Sequence, residues 1–156
     1  MAAERRDEVQ AAIPHREPFL FVDRILERED GRLVTQWTVP ADADFFRGHY
    51  PDRPLVPGVL LCESAFQAGA ILCAGDARDA APAGAVPVLT RIGDARFKRM
   101  VGPGETVRCE VTLDQRVGPA RCMTARLSCE GKVVLRVEFV VAITAAEAPA
   151  AGAGGG

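Results

Sequence analysis

The sequence predicts an α+β fold in which an antiparallel β-sheet wraps around one long central helix. The first observation is a helical run at residues 57–74 that is apolar on nearly every side, which is typical of a buried helix. The second is a series of strand-length segments after it, separated by turns that contain glycine and proline. One buried helix followed by consecutive strands favours a sheet packed around that helix.

Before the central helix, the sequence predicts short elements joined by a hairpin and a long loop. A helical turn ends before Pro14, and Gly31 reverses the chain between two strands in a hairpin around residues 29–31. The expected bounds are 7–12 for the helical turn, 19–28 and 33–39 for the strands, 40–54 for the loop, and 44–47 for one turn of helix within that loop.

The ends of the central helix carry their own signals. Pro57 fits the first helical turn, where a missing amide proton does no harm, and Gly75 fits the end of the helix. A loop at residues 76–85 and four strands follow, the strands at 86–99, 105–117, 121–129 and 133–144.

The chain length and the last residues set the expected domain organisation. With 156 residues, the chain is long enough for one domain with a real core but not for two. Residues 145–156 consist mainly of alanine and glycine, a composition that predicts a disordered tail. We therefore expect one domain at residues 1–144 and a tail after it.

Composition excludes several classes of function. The formal net charge of −2 predicts no general attraction to nucleic acid. The charged N-terminus lacks the apolar core of a signal peptide, and no uncharged apolar stretch is long enough for a membrane span. The five cysteines are odd in number and show no Cys-x-x-Cys spacing, so neither a metal site nor a disulfide framework is expected. These features predict a cytoplasmic protein whose cysteines serve as small core residues.

Candidate acid–base chemistry lies between the long loop and the helix. His49 is in a loop rich in glycine and proline, and Glu63 is the carboxylate within the apolar helical run. A neutral imidazole is well suited to remove a proton near pH 7, and a carboxyl group among apolar neighbours retains its proton and can act as an acid. Gln67 shares a helical face with Glu63. From spacing alone, that face can equally open to solvent or to a subunit interface, and His49 can be a loop histidine bonded to the backbone.

The start of the helix offers a further element of such a site. Gly58 lies where unpaired amide protons and the positive end of the helix dipole point outward. Such amides can hold a carbonyl oxygen and stabilise the negative charge that develops on it. The alternative is that Gly58 only allows close packing.

These residues carry a resemblance to a known family. Residues 48–51 (Gly-His-Tyr-Pro), residues 57–60 (Pro-Gly-Val-Leu), Glu63 and Gln67 resemble the FabZ-type 3-hydroxyacyl-[acyl-carrier-protein] dehydratases, which have the hot-dog fold. Residues 13–24 resemble the opening strand of that family. Residues 94–99 and the turn behind them resemble a later strand. The similarity extends over residues 11–143 in the family's order.

The resemblance implies a reaction and a role for each residue. The expected reaction is dehydration of a (3R)-3-hydroxyacyl thioester on acyl carrier protein to the trans-2-enoyl thioester, in fatty acid or polyketide biosynthesis. His49 would be the base, Glu63 the acid, Gln67 the group that orients Glu63, and the Gly58 amide the oxyanion donor. The family uses no metal or organic cofactor. Its two catalytic residues come from different subunits, so we expect at least a homodimer, with a trimer of dimers as the family's larger assembly.

Other residues receive less specific predictions. The aromatic side chains near the site suit an acyl-chain tunnel; they are Phe45, Phe46, Tyr50 and Phe66. A basic cluster is either a solvated face or a docking site for the acidic carrier protein; it consists of Arg91, Arg96, Lys98 and Arg99. His15 is interpreted as a structural residue at the start of the first strand.

The chain departs from the family pattern at three positions, and two rival functions stay open. Tyr50 stands where the family usually has Phe, Glu17 where an aromatic residue is frequent, and Phe66 also differs. These departures leave room for a specialised substrate. The rivals are a hot-dog acyl-thioesterase, in which Glu63 activates water, and a catalytically silent partner of acyl carrier protein.

Overall fold

The computed structural model describes residues 2–76 and 83–145 of the chain. The first element is helix α1, Ala2–Ala12, which begins earlier than the helical turn expected at residues 7–12. Val9 is fully buried, and Ile13, just after the helix, is 3% exposed. Burial of these two side chains attaches α1 to the core, which explains why the helical conformation persists here.

The segment at residues 13–23 is not a strand, although the sequence predicted a strand from Phe19. Strand β1 is Arg24–Glu29. The reason lies in the hydrogen bonds of Phe21, whose N–H donates to the Gln67 side chain at 2.8 Å and whose carbonyl accepts from the Ser64 hydroxyl at 2.9 Å. Because side chains of the central helix satisfy these backbone groups, the segment needs no neighbouring strand. It lies on the helix instead.

The predicted hairpin around residues 29–31 is confirmed. Strand β1 pairs antiparallel with β2, Arg32–Thr38, and Glu29 lies opposite Arg32 at the turn. Gly31 has a φ of 70°, a conformation that suits a residue without a β-carbon. The expected helical turn in the following loop is also present, as a 3₁₀ helix at Asp44–Arg47.

The central helix α2 is Gly58–Ala74, and it ends at Gly75 as predicted. All residues from Ser64 to Cys73 are buried. A side chain at Gly69 would collide with the sheet, because its β-carbon would lie 2.7 Å from the Phe139 ring. The absence of a side chain there allows the helix to approach the sheet closely.

In the described part of the chain, six antiparallel strands form a single sheet against α2, and the sequence predicted an antiparallel sheet around this helix. The order across the sheet is β1-β2-β4-β5-β6-β3, so β1 and β3 are its edges. Alternate residues of the inner strands are buried toward the helix, which is the period expected for a sheet with one covered face. The last four strands are β3, Ala85–Phe97; β4, Thr106–Val117; β5, Ala120–Cys129; and β6, Lys132–Ala145.

Two further predictions concern the cysteines and the tail. Four cysteines are buried, which agrees with their interpretation as core residues; they are Cys62, Cys73, Cys109 and Cys129. Strand β6 includes Ala145. The predicted tail beyond it lies outside the described residues, as does most of the loop expected at residues 76–85.

Candidate active site

Glu63 lies in the second turn of α2 and is half-buried, with 21% of its side chain exposed. Burial raises the pKa of the Glu63 carboxyl above its ordinary value, while the hydrogen bond from Gln67 and the proximity of His15 act in the opposite direction. The shift follows because burial penalises the charged form. The carboxyl is therefore biased toward the protonated state that a general acid requires.

Gln67 is 1% exposed, and its amide orientation follows from its partners. The Phe21 N–H can only donate, so the Gln67 oxygen must face it at 2.8 Å. The Gln67 nitrogen then points the other way, where it donates to the Phe19 carbonyl and to Glu63 Oε1, each at 3.2 Å. A backbone segment thus fixes Gln67, and Gln67 in turn holds one oxygen of Glu63.

His15 also contacts Glu63, which the sequence did not predict. Its Nε2 lies 3.6 Å from Glu63 Oε1. The segment that carries His15 is held by Arg16, whose guanidinium donates to the Ile13 and His15 carbonyls at 2.8 and 2.7 Å. The sequence placed His15 at the start of a strand. A contact between residues 15 and 63 depends on that segment crossing the helix, for which the local sequence carries no signal.

His49 is held in one tautomer by the loop around it. Its Nδ1 lies 3.1 Å from the Leu55 carbonyl oxygen, and because a carbonyl only accepts, we assign the proton to Nδ1. Nε2 then carries the lone pair and is free to accept a proton. The next residue, Tyr50, has a φ of 49°, a left-handed conformation that costs a non-glycine residue about 1–3 kcal/mol.

Within one chain, His49 and Glu63 have separate partners. His49 is bonded to Leu55, and Glu63 is contacted by Gln67 and His15. Neither a hydrogen bond nor an ion pair joins His49 to Glu63 in the part of the chain that the structure describes. The two candidate residues therefore show no direct interaction with each other among the described residues.

The start of α2 has the free amides that the sequence predicted. The first helical amides to find an acceptor are those of Leu60 and Leu61, which both bond the Pro57 carbonyl. Over the described residues, the Gly58 and Val59 amides have no acceptor. Gly58 also packs closely, since a β-carbon there would lie 2.9 Å from the Phe97 ring. The geometry thus fits Gly58 both as a donor to an oxyanion and as a residue that only allows close packing.

The aromatic residues proposed for a tunnel lie in different environments. Phe46 is buried, and its ring centroid is 4.6 Å from that of Phe45. Phe66 is buried against Phe139 on β6, with ring centroids 5.0 Å apart. Tyr50 is 65% exposed and contacts the His49 ring. Phe66 thus faces the sheet, whereas Tyr50 is accessible beside the imidazole.

The basic cluster is partly neutralised by neighbouring carboxylates. Arg96 pairs with Asp94 at 2.6 Å, and Arg99 pairs with Glu105 at 2.7 Å. Arg91 and Lys98 are exposed, and neither has a carboxylate partner in the described ranges 2–76 and 83–145. These two cations are the ones available to an acidic partner.

The described residues contain neither a candidate metal site nor a candidate membrane-spanning helix. No cluster of three or more His, Cys, Asp or Glu side chains there has the arrangement of a metal site. None of the described helices is long and apolar enough to cross a membrane.

Comparisons with known proteins identify the family of the chain. The model of the FabA-like domain matches residues 13–138. The chain is 41% identical over 141 residues to the 3-hydroxyacyl-[acyl-carrier-protein] dehydratase FabZ of Herpetosiphon aurantiacus, which covers 88% of this chain and 96% of the relative. It is 42% identical over 137 residues to the FabZ of Chloroflexus aggregans, with coverages of 83% and 93%.

Solved structures confirm the fold. The dehydratase heterocomplex ApeI:P from Xenorhabdus doucetiae matches with a TM-score of 0.74 at 17% identity, over 87% of this chain and 90% of that one. Zebrafish thioesterase superfamily member 2 matches with a TM-score of 0.67 at 13% identity, over 92% and 99%. At these identities the likeness shows the hot-dog fold alone. The family match covers both His49 and Glu63, and from it we conclude that the chain belongs to the FabA-like family.

Proposed function

We propose that this chain catalyses the reversible dehydration of a (3R)-3-hydroxyacyl thioester, carried on acyl carrier protein, to the trans-2-enoyl thioester. The observation that carries the proposal is the half-buried Glu63, whose carboxyl is biased toward its protonated form and held by Gln67. The similarity to FabZ dehydratases over most of the chain supports the same reaction. The pathway is fatty acid or polyketide biosynthesis.

The first chemical step is removal of the α-proton by His49. The thioester carbonyl acidifies this proton, and His49 Nε2 has a free lone pair because Nδ1 is bonded to Leu55. The pair of electrons from the broken C–H bond moves toward the carbonyl. The negative charge that develops on the carbonyl oxygen is stabilised by the Gly58 amide at the positive end of α2.

The second step is loss of the β-hydroxyl. Glu63 donates its proton to that hydroxyl, the C–O bond breaks, and water leaves as the C=C bond forms. Glu63 ends as a carboxylate and His49 as an imidazolium, so one proton must pass back between them before the next turnover. An acid and a base of this kind each contribute about 10²–10⁴-fold to the rate. These two steps balance in protons and electrons without a metal or an organic cofactor.

The active site requires a second copy of the chain. His49 and Glu63 share no hydrogen bond or ion pair in the described part of the chain, and in the proposed dimer His49 of one copy meets Glu63 of the other. Edge strand β3 supports this assembly, since it pairs only with β6 among the described strands and exposes Val88, Leu89, Ile92 and Phe97. A 13-residue edge strand with exposed apolar side chains is a liability unless another chain covers it.

The proposed dimer surface reaches the start of α2. Phe97 is 52% exposed, and its ring lies against Gly58. The amides that we assign to the oxyanion are thus next to the surface at which the second copy would supply its own residue. The acyl chain would lie along the aromatic residues of this region, with Phe45, Phe46, Tyr50 and Phe66 as the candidates.

Acyl carrier protein is the proposed partner, and a trimer of dimers is the proposed larger assembly. Carrier proteins are acidic, and the exposed cations Arg91 and Lys98 suit contacts with carboxylates or phosphate. Arg96 and Arg99 are already paired, so we expect them to contribute less. A cytoplasmic location stays a prediction of the sequence.

The test is mass spectrometry of a panel of 3-hydroxyacyl carrier proteins after incubation with wild type, Glu63→Gln and His49→Ala. We expect loss of water with the wild type, and rates lower by at least about 100-fold with each variant. Release of free acid would identify a thioesterase instead. Intact thioesters with the wild type across the panel would contradict the proposal.

A further inference from the structure

The chain has only two histidines, and both belong to the region of the proposed active site. His49 is the proposed base, whereas His15 lies beside the proposed acid with its Nε2 3.6 Å from Glu63 Oε1. This separation is longer than a hydrogen bond, so the contact is an electrostatic one between a ring N–H and a carboxyl oxygen. The two side chains are 29% and 21% exposed, which leaves the contact only partly screened by water.

The two oxygens of Glu63 have different surroundings. Gln67 Nε2 donates to Oε1, and His15 Nε2 approaches the same atom. Oε2 makes no hydrogen bond to any described residue. Because donors favour an oxygen that bears charge rather than a proton, the proton of the neutral acid belongs on Oε2.

The surroundings of His15 favour one tautomer. Its Nδ1 is buried and has no hydrogen-bond partner among the described residues. A proton on Nδ1 would leave a buried donor without an acceptor, which is costly. An unprotonated Nδ1 is likewise a buried acceptor without a donor, so the two neutral tautomers differ at Nε2, where only a proton directs an N–H at Glu63 Oε1.

We infer that His15 is a positioning residue, which together with Gln67 holds Glu63 Oε1 so that Oε2 carries the proton delivered to the substrate hydroxyl. As the proton leaves, negative charge develops on the carboxyl group, and the attraction of the His15 N–H for Oε1 increases. An interaction that is stronger in the transition state than in the ground state accelerates the reaction. This inference rests on the proposed function of Glu63 as the acid.

The groups that act on Glu63 are few in the described part of the chain. Gln67 and Cys62 are on α2, and His15 is on the segment before β1. Burial of Cys62 raises the pKa of its thiol, and the negative charge of Glu63 adds to that effect. No other charged side chain is among the influences on the Glu63 carboxyl. His15 is thus the titratable group whose replacement tests the coupling.

Three variants separate positioning from structural support. His15→Leu removes the N–H but still excludes water, so it should raise the pKa of Glu63 and lower kcat about 10-fold, the size expected of an electrostatic contact that water screens only in part. His15→Gln offers an amide N–H in place of the imidazole and should restore kcat to within about threefold of wild type. Arg16→Ala is the matched control for loosening of the segment, since it removes the hydrogen bonds from the guanidinium to the Ile13 and His15 carbonyls but retains the imidazole.

The first readout is nuclear magnetic resonance and needs no turnover. The carboxyl resonance of Glu63, assigned by its loss in Glu63→Gln, should titrate at higher pH in His15→Leu than in wild type, and any increase should be smaller in Arg16→Ala, which retains the imidazole. The ¹⁵N shifts of His15 should show the proton on Nε2. Unchanged titration in His15→Leu, or a proton on Nδ1, would overturn the inference.

The second readout is the pH profile of kcat. Glu63 must be protonated to act, so its ionisation sets the alkaline limb, and that limb should move to higher pH in His15→Leu. An equal loss of activity in His15→Leu, His15→Gln and Arg16→Ala with an unmoved limb would show a structural role and overturn the inference. Wild-type activity in Glu63→Gln would instead show that the proposed acid is wrong, a failure of the function itself.

Discussion

Burial of the Glu63 carboxyl lowers the stability of the protein, and the same burial suits the acid role that we propose for it. Burial raises the pKa of its carboxyl, so at neutral and higher pH the protein must either retain the proton or bear a charge with little solvent around it. Gln67 offsets part of this cost through its hydrogen bond to Oε1. A raised pKa of this origin suits the role of general acid that we propose for Glu63.

The stability of Glu63→Gln should therefore depend on pH in a defined direction. A group whose pKa is higher in the folded than in the unfolded state contributes stability at low pH, and that contribution is lost as pH rises through the folded pKa. The glutamine of Glu63→Gln has no proton to lose, so the variant does not lose stability in this way as the pH rises. Its Tm should equal that of wild type at acid pH and exceed it increasingly as the pH rises, as measured by thermal unfolding followed by circular dichroism.

Glu105 provides a control of opposite sign. The Gly102 amide and the Arg99 guanidinium hold the pKa of its carboxyl below the ordinary value. Its contribution is present at neutral pH and lost as pH falls through the folded pKa. Glu105→Gln should thus be less stable than wild type at neutral pH and approach it in acid. The same pH dependence in both variants would contradict the assignment of burial as the cause at Glu63.

At the scale of elements, α2 positions the site because it is bound on two sides. Its side chains Ser64 and Gln67 bond the backbone of Phe21, and its opposite face packs on the sheet through Gly69. The helix thus fixes Glu63 relative to both the entering segment and the core.

The close approach at Gly69 leads to a stability prediction. Ala has the higher helix propensity by about 1 kcal/mol, so Gly69→Ala would stabilise an exposed helix. Here the added carbon would lie 2.7 Å from the buried ring of Phe139, and overpacking of this kind costs about 1–3 kcal/mol. Urea unfolding should show lower stability for Gly69→Ala. Recovery in Gly69→Ala/Phe139→Leu would attribute the loss to this contact, whereas a more stable single variant would contradict it.

At the scale of the whole molecule, two features favour the proposed dimer: the exposed edge strand β3 and the separate partners of His49 and Glu63 within one chain. Strand β3 exposes apolar side chains along an edge, and His49 and Glu63 each lack the other within one chain. Pairing of two copies would cover the apolar side chains of β3 and would bring His49 of one copy to Glu63 of the other. A symmetric dimer would contain two copies of such a shared site, related by its two-fold axis.

Mixed dimers provide a direct test. A dimer of one His49→Ala chain and one Glu63→Gln chain contains one site with both mutations and one site with neither, if each site is shared between chains. Random exchange of subunits should then restore about a quarter of the wild-type rate from two inactive proteins. The measurement is dehydration before and after co-refolding. No recovery, with mixed dimers verified by mass spectrometry, would place both residues of a site in one chain.

The local sequence determined the elements whose signals are local. The apolar run with Pro57 and Gly75 at its ends predicted α2, and Gly31 predicted the hairpin, because helix ends and tight turns depend on neighbouring residues. The family motifs likewise identified His49 and Glu63 as candidates. The raised pKa of Glu63 followed from the apolar composition of the helix around it.

Only the tertiary structure decided how distant residues meet. The segment before Arg24 has the composition of a strand, but Ser64 and Gln67 bond its backbone and hold it on α2. The contact of His15 with Glu63 depends on that same crossing. Local signals report neighbours along the chain, whereas the partners of a buried polar group are set by which segments pack together, and hydrogen bonds between residues more than 40 positions apart leave no periodic trace in sequence.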